Sequence, residues 1–188
     1  MVVYSVDKRV GSRLINNTLV ICGLTAEQLS APVTNLYLIT SQIFPIVNAR
    51  LTGHWSVIAE TSNGYFNIST SRYMSVYIYP AFKNNAFCFS TSRWESSLPI
   101  LKKYKIKDIY SENPVTVYDI ASKSLNFYSK GGTVAYSLTN NNCQQVAQFI
   151  ITTFGAVDKD DPLMTYSKGL TLFGHAVNDA LRGPKIMF

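Results

Sequence analysis

Through the first half of the chain, apolar residues come in short runs, many of them alternating with polar ones and rich in β-branched or aromatic side chains. Leu19 to Leu24, Asn35 to Thr40, Trp55 to Ala59, Tyr65 to Ser69, Met74 to Tyr79 and Phe87 to Ser90 therefore read as strands. Between two of them, "TSNG" (Thr61 to Gly64) carries Asn-Gly, the pair that most readily accepts positive φ, so Trp55–Ala59 and Tyr65–Ser69 are expected to form an antiparallel hairpin. Thr25 followed by Glu27 and Gln28 is a helix-start pattern, and Pro32 would stop that helix. From Trp94 to Lys105 the apolar spacing reads as helical, with Pro99 interrupting it.

Past that point the step lengthens to three and four residues. Val117 to Tyr128 carries Ile120, Leu125 and Phe127 among polar positions, and Gly131-Gly132 is its expected stop. A brief strand, Thr133 to Ser137, precedes "YSLTNNNCQQVAQFI". There Val146, Phe149, Ile150 and Phe154 put one apolar stripe on a helix that Gly155 ends. After Asp161-Pro162, the positions Leu163, Tyr166, Leu170, Phe173, Val177 and Leu181 predict a last helical segment, in one piece or two, running to Gly183. The order of elements points to an α+β fold, an antiparallel sheet packed on helices.

Length and composition narrow this picture. A chain of 188 residues suits one domain spanning residues 1–188. Hydrophobic residues at 47%, charged residues at 15%, 12 Tyr and 10 Phe exclude a disordered chain and favour aromatic-faced strands. The net charge of +6 has one dense cluster, Lys102, Lys103, Lys105 and Lys107, with no glycine-rich or RNA-binding signature beside it. It reads as a solvated face, with an anionic membrane surface as the alternative partner and no nucleic acid. No apolar run is long enough to span a bilayer. Three cysteines in no C-x-x-C pairing and two histidines give neither a zinc set nor a disulfide framework, so a reducing, cytoplasmic setting with no metal or organic cofactor is expected. The triplets Asn16-Asn17-Thr18 and Asn67-Ile68-Ser69 fit a glycosylation pattern, but no leader-like start accompanies them and both read as chance.

What remains is Cys143, set behind three asparagines at the start of a helix. Unpaired N–H groups and the positive helix end stabilise a thiolate there, which predicts a lowered pKa and a reactive thiol. Asn141 or Asn142 is the natural N-cap. A nucleophile of this kind needs a base. His54, at the mouth of the hairpin, is preferred to His175 in the glycine-interrupted C-terminal segment. Asn67 on the returning strand is the candidate for orienting the imidazole, with Ser69 on the same face two residues on. Gln144 and the N–H groups near Cys143 are candidates for holding a developing oxyanion. The competing readings are a buried inert thiol for Cys143, a core or edge histidine for His54, and a turn-proximal amide for Asn67. Cys22 and Cys88, inside apolar runs, read as structural.

"GHWSVIAETSNGYFNIS" followed far downstream by "VAYSLTNNNCQQVAQFI" resembles the paired signature of the lecithin:retinol acyltransferase-like (H-box/NC) family within the NlpC/P60 superfamily. The resemblance covers Gly53 to Ser69 and Val134 to Ile150. It implies a circularly permuted papain-like fold in which His54 is the base and Cys143 the nucleophile. The thiol would attack a lipid ester or amide carbonyl, and the thioester would pass its acyl group to water, an amine or a hydroxyl. The family's second histidine falls at or near Asn67; counted strictly from Gly64 it falls at Ile68. After the cysteine the lipid enzymes continue Glu-His-Phe, where this chain has Gln144, Gln145 and Val146. The same dyad serves peptide or isopeptide substrates in the NlpC/P60 peptidases and PPPDE proteins. Some picornavirus proteins share the signature, so a virus-associated, non-catalytic binding or structural protein retaining the fold is the third expectation. Association with a membrane or a virus would fit these readings; the pattern does not decide the oligomeric state.

Overall fold

The computed structural model describes residues 3–5, 18–41, 54–71, 75–91, 98–129, 142–158 and 160–161. Eight strands form one sheet: β1 (Val3–Ser5), β2 (Leu19–Ile21), β3 (Val33–Ser41), β4 (His54–Thr61), β5 (Gly64–Thr70), β6 (Val76–Lys83), β7 (Cys88–Thr91) and β8 (Leu98–Lys105). Among the described residues three α-helices accompany them, α1 (Ala26–Ser30), α2 (Val117–Tyr128) and α3 (Cys143–Phe154), with a 3-10 turn at Asp108–Tyr110. The architecture is α+β, and the strand order is β1-β2-β6-β5-β4-β3-β8-β7.

The sheet also closes on itself. Along one edge of β6 the first half pairs with β2 (Leu19↔Val76 to Ile21↔Ile78), while the second half pairs with β7 (Ala81↔Thr91 to Lys83↔Phe89). Pairing therefore runs in a ring through β3, β4, β5, β6, β7 and β8, and only β1 and β2 extend outside it. Closure hides strand edges that would otherwise expose unpaired backbone groups.

Strand alternation then creates two cores. Trp55, Val57 and Ala59 of β4, with Phe66 and Ile68 of β5, face outward and are covered by α2 and α3 through Ile120, Leu125, Val146, Ile150 and Phe154. Tyr37, Ile39, Ile58, Ala81, Phe89 and Leu98 form a second cluster on the inner face of the ring. Phe127 and Phe149 stack between the two helices at 4.3 Å and 7°. Burial of these apolar surfaces supplies the main drive for the assembly.

Local chemistry sets the ends of the elements. Thr25 with Gln28, and Thr116 with Asp119, make reciprocal capping boxes at α1 and α2. The β4–β5 hairpin turns through Ser62 and Asn63, and Gly64 takes the positive φ of 122°. At Gly155, which ends α3, a Cβ would lie 2.8 Å from the Ile151 carbonyl oxygen and 3.2 Å from the Tyr104 Cβ, so only glycine lets the chain pass β8 this closely. Lys107 Nζ donates to the Thr152 and Thr153 carbonyls at 2.6 and 3.0 Å, satisfying two acceptors at the α3 C-terminus.

One expectation is overturned. The stretch read as helical from Trp94 to Lys105 contains strand β8, Leu98–Lys105, which pairs with β3 over most of its length. Pro99 is tolerated because it lies beside the short β7 pairing and is exposed, where the missing N–H costs little. The lysine cluster keeps much of its surface in water, with Lys103 and Lys105 exposed, but three of its members are also paired. Lys102 pairs with buried Asp161 at 2.7 Å, Lys103 with Glu60 at 3.4 Å, and Lys107 caps α3. The Thr133–Ser137 strand, the Gly131-Gly132 stop and the helical segment from Pro162 to Gly183 lie outside the described residues.

Candidate active site

Strand β4 begins at His54 and helix α3 begins at Cys143, and α3 packs against β4. Asn142 is the N-cap of α3: its side-chain oxygen accepts the backbone N–H groups of Gln144 and Gln145 at 3.0 and 3.1 Å. The cap fixes the helix start, and the apolar stripe of Val146, Ala147 and Ile150 seats the helix on the outer face of β4. The backbone N–H of Trp55, the residue directly after His54, is among the groups that act to lower the Cys143 pKa.

His54 and α3 belong to different faces of β4. Alternation sends Trp55 and Val57 to the helix side and His54, Ser56 and Ile58 to the inner side. The β4–β5 register pairs Val57 with Ile68; one step further along, Ser69 faces Ser56 and stands diagonal to His54. His54 Nε2 and Ser69 Oγ are 2.9 Å apart, a hydrogen bond whose direction follows the imidazole tautomer. His54 thus stands on the inner face of β4, and the helix that begins at Cys143 covers the outer face.

Asn67 does not take the orienting position expected for it. It lies opposite Ile58 on β4 and Tyr79 on β6, and its amide donates to the Tyr79 hydroxyl at 3.2 Å. Its Oδ1 is buried with no hydrogen-bond partner among the described residues. Ser69, not Asn67, is hydrogen-bonded to the imidazole. The sequence named both residues on one face, and only the register separates them.

The state of the thiol also differs from the expected one. Cys143 is 7% exposed. Burial pushes its pKa up to about 11, only partly offset by N–H donation from Trp55, Cys143 itself and Gln144. The helix start does supply donors to the sulfur, but desolvation outweighs them, so the thiol is protonated at neutral pH and not ionised in advance. Gln144 contributes its backbone N–H to this environment as well as to the cap. None of Cys22, Cys88 and Cys143 is in a disulfide. His175 lies outside the described residues.

A second polar cluster, which the sequence reading missed, occupies the other end of β4. Glu60 accepts hydrogen bonds from Asn35 Nδ2 at 2.8 Å, Tyr37 Oη at 2.9 Å and Tyr65 Oη at 3.2 Å, with Lys103 Nζ at 3.4 Å. The rings of Tyr37, Tyr65 and Phe89 meet edge-on beside it. Strand alternation could have found it, since Tyr37, Glu60 and Tyr65 each point into the ring. Compared with family models, curated proteins and solved structures, the chain gives no match in any of the three.

Proposed function

We propose that the protein is a thiol-dependent acyl hydrolase or acyltransferase in which Cys143 and His54 act as a dyad, on a circularly permuted papain-like arrangement. The observation that carries the proposal is that Cys143 opens the helix seated on β4 and the Trp55 N–H acts on its thiol, one residue along the strand from His54, whose Nε2 lies 2.9 Å from Ser69 Oγ.

Because burial keeps the thiol neutral, attack must be coupled to proton transfer. As Sγ bonds to the substrate carbonyl carbon, His54 takes the thiol proton. His54 and the helix that carries Cys143 stand on opposite faces of β4, so the transfer requires the imidazole to reach past the strand's first peptide. Collapse of the tetrahedral intermediate breaks the bond to the leaving oxygen or nitrogen, which takes the proton from the imidazolium. Water, a hydroxyl or an amine then attacks the thioester, passes its proton to His54, and frees the thiol. The Cys143 N–H stands beside the developing oxyanion, as helix-start donors do in acyl transfer. Ester and amide substrates, lipid or peptide, meet the same dyad and are separated by a substrate panel.

The second reading is a non-catalytic binding or structural protein, and the burial of Cys143 favours it. The test uses a Cys22→Ser, Cys88→Ser background, so that Cys143 is the one remaining thiol of the three. A vinyl-sulfone or thioester-forming probe is expected to label this protein, and Cys143→Ala is expected to abolish labelling. Undiminished labelling of the alanine variant, or an unlabelled parent that reacts only after denaturation, would remove the enzymatic reading.

A further inference from the structure

The hairpin joining β6 and β7 ends in a feature that nothing at the Cys143 site uses. Phe82 is 58% exposed and Phe87 is 80% exposed. The turn that carries Phe87 is tightly bonded. Asn85 Oδ1 accepts the N–H groups of Phe87 and Cys88 at 2.8 and 3.1 Å, and Asn84 Oδ1 accepts Ser90 Oγ at 2.9 Å. The Phe87 carbonyl also accepts the Ile100 N–H at 2.8 Å. Phe87 is therefore presented to water by an ordered turn, on the same hairpin as exposed Phe82.

The surroundings are basic. Lys83 and Lys103 bring their ammonium groups to within 5.4 and 5.1 Å of the same Tyr37 ring, so both lie on the rim of the ring of strands beside the hairpin. Lys105, exposed, follows two residues after Lys103 on the same strand. Of these three cations, Lys103 is balanced by Glu60.

We propose that the β6–β7 tip docks on the anionic surface of a lipid bilayer, with Phe82 and Phe87 entering the interface and Lys83, Lys103 and Lys105 meeting headgroup phosphates. A hairpin tip with exposed aromatic side chains and lysines beside it suits shallow insertion, which combines apolar burial with attraction to anionic lipid. Single-stranded nucleic acid is bound differently, along a groove or sheet face where bases stack in succession. Among the described residues no helix is long and apolar enough to cross a membrane, so contact of this kind is peripheral. The tip lies past the Glu60 end of the strands, whereas Cys143 meets the His54 end, and the proposal stands independently of the thiol chemistry.

Co-sedimentation of the full chain with phosphatidylcholine vesicles, with and without phosphatidylserine, tests it. Binding is expected to require phosphatidylserine and to fall steeply with salt. The pair Phe82→Ser and Phe87→Ser is expected to weaken binding by at least about tenfold. Lys83→Glu and Lys105→Glu are each expected to cost about fivefold or more. The Phe87→Trp variant is expected to shift its emission to the blue on addition of the anionic vesicles, with an unchanged far-ultraviolet dichroism spectrum confirming the fold. Equal partitioning to neutral vesicles, full binding by the double serine variant, or emission from the Phe87→Trp variant that is indifferent to vesicles would overturn the proposal. So would capture of a single-stranded RNA oligomer, or self-association, that these substitutions abolish while vesicles are ignored.

Discussion

Glu60 and Cys143 lie against opposite ends of strand β4, and the protein treats their ionisation in opposite ways. Burial alone would raise the Glu60 pKa, but donation from Tyr37, the charge of Lys103 and the Asn35 and Tyr65 hydrogen bonds outweigh it and hold the carboxyl below its usual range. At Cys143 the balance reverses: burial dominates three backbone donors, and among the described residues no cationic side chain contributes to the thiol's shift. Tyr37 and Tyr65 are pushed up, first by burial and then by Glu60, so both remain protonated donors. One end is thus a completed polar network that fixes the strands. The other holds a group that is neutral at rest and whose anion has few stabilising partners, the condition under which a neighbouring base matters most.

The largest effect that would sharpen this contrast is kinetic. If the thiol is ionised only during attack, His54→Ala should slow acylation of Cys143 by about 10²- to 10⁴-fold, with substrate binding little changed. Ser69→Ala should slow it by about tenfold through a loosely held imidazole, and Ser69→Thr should recover most of the loss. The pH profile separates orientation from folding: the alanine variant should shift the base limb of the rate, which a purely structural defect would leave in place. Equal acylation rates in the parent and the His54 variant would break the comparison, because Cys143 would then need no base.

Next in size is the alkaline stability of the protein. The Cys143 pKa is higher in the folded chain, about 11, than the roughly 8.5 to 9 of an unfolded thiol. Below the unfolded value both states are protonated and the contribution is complete. Above it the unfolded chain loses its proton first, so stability falls as pH rises through the interval up to about 11. Two pKa units correspond to about 3 kcal/mol. Comparing the parent with Cys143→Ala across this window isolates the thiol from the tyrosines and lysines that titrate nearby. The difference between the two should shrink with rising pH, and a constant difference would show that the thiol is not desolvated.

These two sites also show what the sequence carries and what it leaves out. The His54 strand, the Asn142 cap and the α3 stripe are local patterns, set by side-chain spacing within a few residues, and the fold agrees with them. Ser69 against Asn67 is a question of register: both share a face, but Ser69 stands one pair from His54 while Asn67 stands opposite Ile58. Thiol burial is less local still, because desolvation depends on how α3 seats against β4 after folding. Strand β8 misread as helix has a similar origin. Its apolar positions switch parity where a register shift falls between Leu38 and Ile39 of the facing strand, which breaks the period-two signal. Closure through β6 and β7 joins strands by pairing alone, and no single segment announces it.

The smallest of the three effects falls at the Glu60 end. Its folded pKa lies below the unfolded value, so the sign is opposite to that at Cys143: the contribution is complete above roughly pH 4.5 and is lost as pH falls through the lower, folded value. Glu60→Gln keeps the shape but removes the charge, weakening the bonds from Tyr37, Asn35 and Tyr65 and leaving Lys103 without its counter-ion. A loss of about 1 to 2 kcal/mol at neutral pH is expected, measured as a lower urea midpoint with an unchanged slope. Parent and variant should converge as the pH drops, since protonation gives the parent the same neutral group. Acylation of Cys143 should be unaffected, because the cluster and the thiol meet opposite ends of β4. A Glu60 variant that folds normally yet loses labelling at Cys143 would show that the two ends are coupled through the strands and that the separation drawn between them fails.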